Sequence, residues 1–108
     1  MASYLLQASY TPEAWATLVA RPHDRTGVIK SVVKKLGGKV SGLWMAFGEH
    51  DIVLIVDLPD NTSAAALAMA AGAGGALRAF KTTPLLTASE GIEALKKAGE
   101  CGYTPPSA

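Results

Sequence analysis

One cysteine in 108 residues, Cys101, cannot form an internal disulfide and has no CxxC partner, so a redox framework and a thiolate metal cage are both excluded on sequence alone. Ten basic residues against nine acidic leave no field of one sign, which argues against nucleic acid or an anionic membrane as a partner. The longest uncharged run, Asn61 to Leu77, is mostly alanine and glycine, too short and too weakly apolar to span a bilayer. The start, Met1-Ala2-Ser3-Tyr4-Leu5, lacks the basic and long apolar regions of a signal peptide, and a cytoplasmic location is expected. Catalytic fingerprints are missing too. There is no nucleophile elbow or P-loop, and Gly72-Ala73-Gly74-Gly75 follows a helix and precedes a strand, the reverse of the phosphate-binding order.

What is present patterns as one α+β domain over residues 1–98 with a flexible tail over 99–108. Ser3 to Tyr10 reads as a strand closed by Thr11-Pro12, where Thr11 can cap a helix carrying Trp15, Leu18 and Val19 on one side. Arg21-Pro22 interrupts that helix, and Asp24 can cap a second segment with a stripe of Val28, Ile29, Val32, Val33 and Leu36, ended by Gly37-Gly38. Lys39 to Phe47 and Ile52 to Leu58 are rich in β-branched, aromatic and aliphatic residues around Gly48-Glu49-His50-Asp51, a β-hairpin signal. Asn61 or Thr62 can cap an uncharged helix, Ser63 to Ala71, which Gly72 ends and whose alanines allow close approach and suggest burial. Leu77 to Leu86 reads as a fourth strand, its late part restricted by Pro84 to an edge or a bulge, and Thr87-Ala88-Ser89-Glu90 has capping-box spacing ahead of a last helix with Gly99 as its stop.

The order βαββαβ plus a C-terminal helix predicts a ferredoxin-like antiparallel sheet with helices on one face. The other face is then bare. Pairing two such faces is the simplest cover, so a homo-oligomer, first of all an isologous dimer, is expected.

Six residues stand out as candidates for a site. Gly48 supplies positive φ to the hairpin turn, Asp51 can accept from its backbone, and Glu49 and His50 are left at its tip, where His50 could move protons if a carboxylate orients its ring. The same residues serve equally as plain turn architecture. Trp44 either fills the sheet interface or, flanked on its face by Gly42 and Ala46, borders a concavity. Arg78 could hold an anion or, more simply, pair with a carboxylate. His23 is the second histidine. His23, His50, Cys101, Asp24 and Glu49 are too scattered for a metal pattern, so neither a metal nor any cofactor is expected.

The run LWMAFGEHDIVLIVDLPD, followed by an alanine-rich helix and ALRAFKTT, resembles the GYD family of small bacterial proteins over about Ser3 to Lys97. Trp44, Gly48, Asp51, the Ile52 to Val56 strand, Asp60, the alanine helix and Arg78 carry the likeness. His50 stands where the family has its tyrosine, and Arg21-Pro22 where it has Ser-Pro, so a role for a tyrosine hydroxyl does not carry over. The resemblance implies a ferredoxin-like fold of the dimeric α/β-barrel type. Three functions fit: an oligomer binding a small molecule or partner protein at a subunit interface; a cofactor-free dimeric α/β-barrel oxygenase or isomerase using His50 or His23; and a trimeric signalling or metal-tolerance protein.

Overall fold

The computed structural model describes residues 1–106. Its elements run β1 (Ala2–Tyr10), α1 (Pro12–Ala20), α2 (Thr26–Lys35), β2 (Lys39–Met45), β3 (Ile52–Leu58), α3 (Asn61–Ala73), β4 (Leu77–Leu85) and α4 (Ala88–Glu100). The four strands form one open antiparallel sheet in the order β2-β3-β1-β4, compatible with a ferredoxin-like topology.

Strand alternation sorts the sheet into two faces. Tyr4, Leu6 and Ala8 of β1 and Ile52, Leu54, Val56 and Leu58 of β3 point to the helix side and are buried; there Val33, Ala64 and Leu67 close the core. On the other side, cross-strand partners line up in rows: Trp44, Val53, Gln7, Lys81; then Gly42, Ile55, Leu5, Thr83; then Lys39, Asp57, Ser3, Leu85. The hairpin's apolar run is therefore covered by helices on one face only. Val53, Ile55, Leu5 and Leu85 are left half-buried and Trp44 is 55% exposed.

Helix ends follow the capping chemistry. Thr11 accepts from the Ala14 amide, with Pro12 at the first helical position of α1. At α2 the cap position falls to Arg25, which makes no side-chain cap bond, and the expected Asp24 sits one residue earlier, its carboxylate taking the Thr26 amide and hydroxyl. α3 starts at Asn61, because Asp60 and not Asn61 or Thr62 accepts from the Ser63 amide at 2.9 Å. Gly72 does not stop α3, which runs to Ala73, nor does Gly99 stop α4, which continues to Glu100. A single glycine costs a helix about 1 kcal/mol relative to alanine, too little to end one when the flanking hydrogen bonds are intact. α4 carries the reciprocal Thr87–Glu90 capping box.

α3 is less enclosed than its lack of charge suggested. Only Ala64 and Leu67 are buried along it, and Met69 is 72% exposed. α4 is the element without cover. No residue of α4 is buried, and Ile92 and Leu95 are 53% and 69% exposed. The radius of gyration, 17.4 Å, exceeds the roughly 13 Å of a compact 100-residue domain, as a projecting helix requires. The tail beyond Glu100 has no regular structure through Pro106; residues 107 and 108 lie outside the described residues. No helix among the described residues is long and apolar enough to cross a membrane.

Candidate functional site

The hairpin turn is longer and better anchored than its sequence suggested. The ladder stops at Met45, so Ala46 to Asp51 form the connection and Phe47 stands fully exposed. Gly48 has φ 141°, a conformation open to glycine. The turn is stitched to β1: the Asp51 amide donates to the Ala8 carbonyl at 2.8 Å, Asp51 Oδ2 accepts from the Tyr10 amide at 2.8 Å, and Ser9 Oγ donates to the Glu49 carbonyl at 3.0 Å. Asp51 and Ser9 are the two buried polar residues of the domain, and both are consumed by these bonds. Asp51 is thus architecture: its side-chain acceptor serves β1, where β1 shifts register against β4 between Ser9 and Tyr10, and not the turn's own amides.

His50 does not project from the tip. Its side chain is 17% exposed, with Nε2 at 3.9 Å from the exposed Glu49 carboxylate and Nδ1 buried without a hydrogen-bond partner. Arg78 falls at the β4 side of the register shift, exposed, and makes no salt bridge among the described residues; the expected carboxylate partner is absent there. Trp44 lies on the bare face with its indole over Gly42, where a Cβ would collide with the ring. The indole fills the concavity that the small neighbour leaves.

A roomier apolar setting lies elsewhere, between the helix layer and the sheet. α1 and α2 stand apart from α3, and the gap, about 510 Å³, is floored by Leu6, Leu54 and Phe80 and walled by Ile29, Val32 and Leu67. Ala70, Ala71 and Gly74 also face it, so the small residues of α3 make the space. That volume suits a small-molecule ligand, for which about 300–1,000 Å³ is usual. Four polar side chains line it: Tyr10, Thr17, His23 and Arg25. Of the six sequence candidates only His23 reaches this cleft. His50 and Arg78 line neither it nor the second hollow, beside the Pro22–Thr26 segment.

The rim's chemistry is one-sided. His23 Nδ1 lies 2.8 Å from the Arg21 carbonyl, which can only accept, so Nδ1 carries the proton and Nε2 is left free. Burial pushes the Tyr10 phenol above its ordinary pKa; the Arg25 charge opposes that and the Asp51 charge adds to it. Tyr10 is therefore a neutral O–H near a guanidinium, its ring held edge-on to Trp15 at 5.3 Å between centroids. No carboxylate lines the cleft. Tyr10 and Arg25 carry no sequence motif; only the packing of a strand end against the start of α2 brings them together.

No group of three or more His, Cys, Asp or Glu side chains among the described residues is placed to hold a metal ion.

A sheet covered on one side by helices, with a second face bare and an apolar cleft under the helices, defines a one-sided α+β sandwich. Within that class the chain belongs to the GYD domain family, whose model matches residues 4–95. No curated protein and no solved structure matches the chain.

Proposed function

We propose that the protein is a homo-oligomeric binding module of the dimeric α/β-barrel type. Two chains pair their bare sheet faces across an isologous interface, and each holds a small apolar ligand in the cleft between its helices and its sheet. The observation that carries this reading is the cleft itself: about 510 Å³ of open space over core residues that a closed helix layer would have sealed. An apolar cleft of this size, opening to solvent at a rim with a few polar side chains, has the form of a small-molecule site. The bare face supports pairing, because Leu5, Val53, Ile55 and Leu85 form an apolar group across β1, β3 and the edge strand β4 with polar residues at its margin.

Native mass spectrometry of protein taken directly from its host tests both halves at once. The expected spectrum shows a dimer with retained small-molecule mass. Monomer without added mass at micromolar protein would sink the reading.

One observation favours a second reading, a cofactor-free oxygenase or isomerase turning on His50: its buried Nδ1 lacks a partner. Buried polar atoms without partners are uncommon enough to need a reason. Against it, His50 lines neither hollow, so a substrate in the cleft would not meet it.

A further inference from the structure

The ligand's chemical class follows from the charge of the cleft's rim. We propose that the cleft takes an amphipathic monocarboxylate, its apolar body over Leu6, Leu54 and Phe80 and its carboxylate at the mouth against Arg25 and the Tyr10 hydroxyl. The proposal rests on the binding reading above and narrows it.

Three features point the same way. The lining is apolar except for Tyr10, Thr17, His23 and Arg25, which offer hydrogen-bond donors and a permanent positive charge, with no acid among them. Arg25 makes no salt bridge among the described residues. The neighbouring carboxylates are already spent: Asp24 on the Thr26 amide and hydroxyl, at 2.8 and 2.6 Å, and Asp51 on the Tyr10 amide. A guanidinium beside an apolar cavity with no partner of its own selects an anion, since its donors form a fork that matches a carboxylate. The Tyr10 phenol, kept protonated by its surroundings, adds a neutral donor at the same place. A cation would meet the Arg25 charge there with no carboxylate to offset it. A fully neutral ligand would fill the cleft and leave the rim unused.

The body of the ligand is set by the walls. Ile29, Val32 and Leu67 present aliphatic surface, and the small residues of α3 leave room for a chain or a single ring. Burying apolar atoms there favours binding whatever the head group, and this part of the affinity is shared by any ligand with the same body. The head group is where Arg25 acts.

Isothermal titration of the full chain with decanoate and with decanol, which differ only at the head, separates the two contributions. Wild-type protein is expected to prefer decanoate, and Arg25→Gln to weaken decanoate by about three- to tenfold while leaving decanol unchanged; the range reflects a charge-assisted bond discounted for an exposed arginine. Ala70→Trp, which fills the cleft, is expected to abolish binding of both. Equal affinities for decanoate and decanol, or a decanoate affinity indifferent to Arg25→Gln, overturns the carboxylate class and leaves the cleft reading standing. If neither compound binds the wild type, or Ala70→Trp binds both as before, the cleft reading falls and the carboxylate class with it.

Discussion

Gly42 and Trp44 show how a two-residue spacing becomes a structural unit. They point to the same face of an edge strand, and the indole lies where the Gly42 side chain would have been. Covering a glycine with a neighbouring aromatic restores packing that the missing side chain forfeits. Gly42→Ala forces the ring or the backbone to move and is expected to cost about 1–3 kcal/mol in urea unfolding. The same substitution in a Trp44→Ala background should cost far less, so the double-mutant cycle reads out the collision. Additive effects would show that the two residues do not touch. Asp57, on the same face, accepts from Ser3 Oγ at 2.5 Å and from Ser41 Oγ at 2.8 Å, and these bonds hold its carboxyl below the ordinary carboxylate pKa. Asp24, Asp60 and Glu90 are lowered by the same kind of bond, to Thr26, Ser63 and Thr87. A group whose folded pKa lies below its unfolded one stabilises the fold above the unfolded value and loses that contribution as pH falls through the folded one. Stability should therefore be flat near neutrality and decline as pH falls into and below the carboxylate range. Replacing Ser3 and Ser41 by alanine should make that decline shallower in denaturant melts taken across acidic pH. A slope identical to wild type would remove Asp57 from the account.

At the scale of elements, α4 is the outlier. Its charges, Glu90, Glu93, Lys96, Lys97 and Glu100, fall on one half of the helix, while Ala88, Gly91, Ile92, Ala94, Leu95, Ala98 and Gly99 fall on the other. A half-apolar helix of 13 residues is marginal in water by itself and gains its stability by burying that half. Nothing among the described residues does so. If a second copy supplies the cover, the pair Ile92→Glu and Leu95→Glu should reduce the mass in light scattering at micromolar protein. A mass equal to wild type would show that α4 stands outside the assembly. The uncharged α3, which reads from sequence as the element most in need of cover, is instead explained by the cleft: its small residues face open space rather than a neighbour.

For the whole molecule, the two faces of the sheet divide the work. The helix face makes the core and, where α1 and α2 part from α3, the cleft; the bare face carries Ile55 at its centre, between Gly42 and Leu5. Ile55→Glu places a charge in the proposed interface and is expected to yield a folded monomer in sedimentation velocity. Retention of the wild-type mass would exclude this face from assembly.

Much of this was legible in the chain. The hairpin, the helix break at Arg21-Pro22, the Thr11 cap and the Thr87–Glu90 capping box are local, decided by residues within a few positions of one another, and the βαββαβ order already implied a sheet with one face bare. The site was not legible in the same way. His50 reads as a tip residue because Gly and Asp signal a turn, yet only the fold of that turn onto β1 through Ser9, Tyr10 and Asp51 turns its ring inward. Asp60 displaces Asn61 as the α3 cap because the geometry of the β3 exit sets which carboxylate or amide meets the Ser63 amide. The sequence by itself determined the order of elements, the caps of α1 and α4 and the alternation of the strands, since these depend on neighbours along the chain. The tertiary structure alone decided that Tyr10, His23 and Arg25 share the rim of one cleft, because how far two helices stand apart over a sheet is fixed by long-range packing.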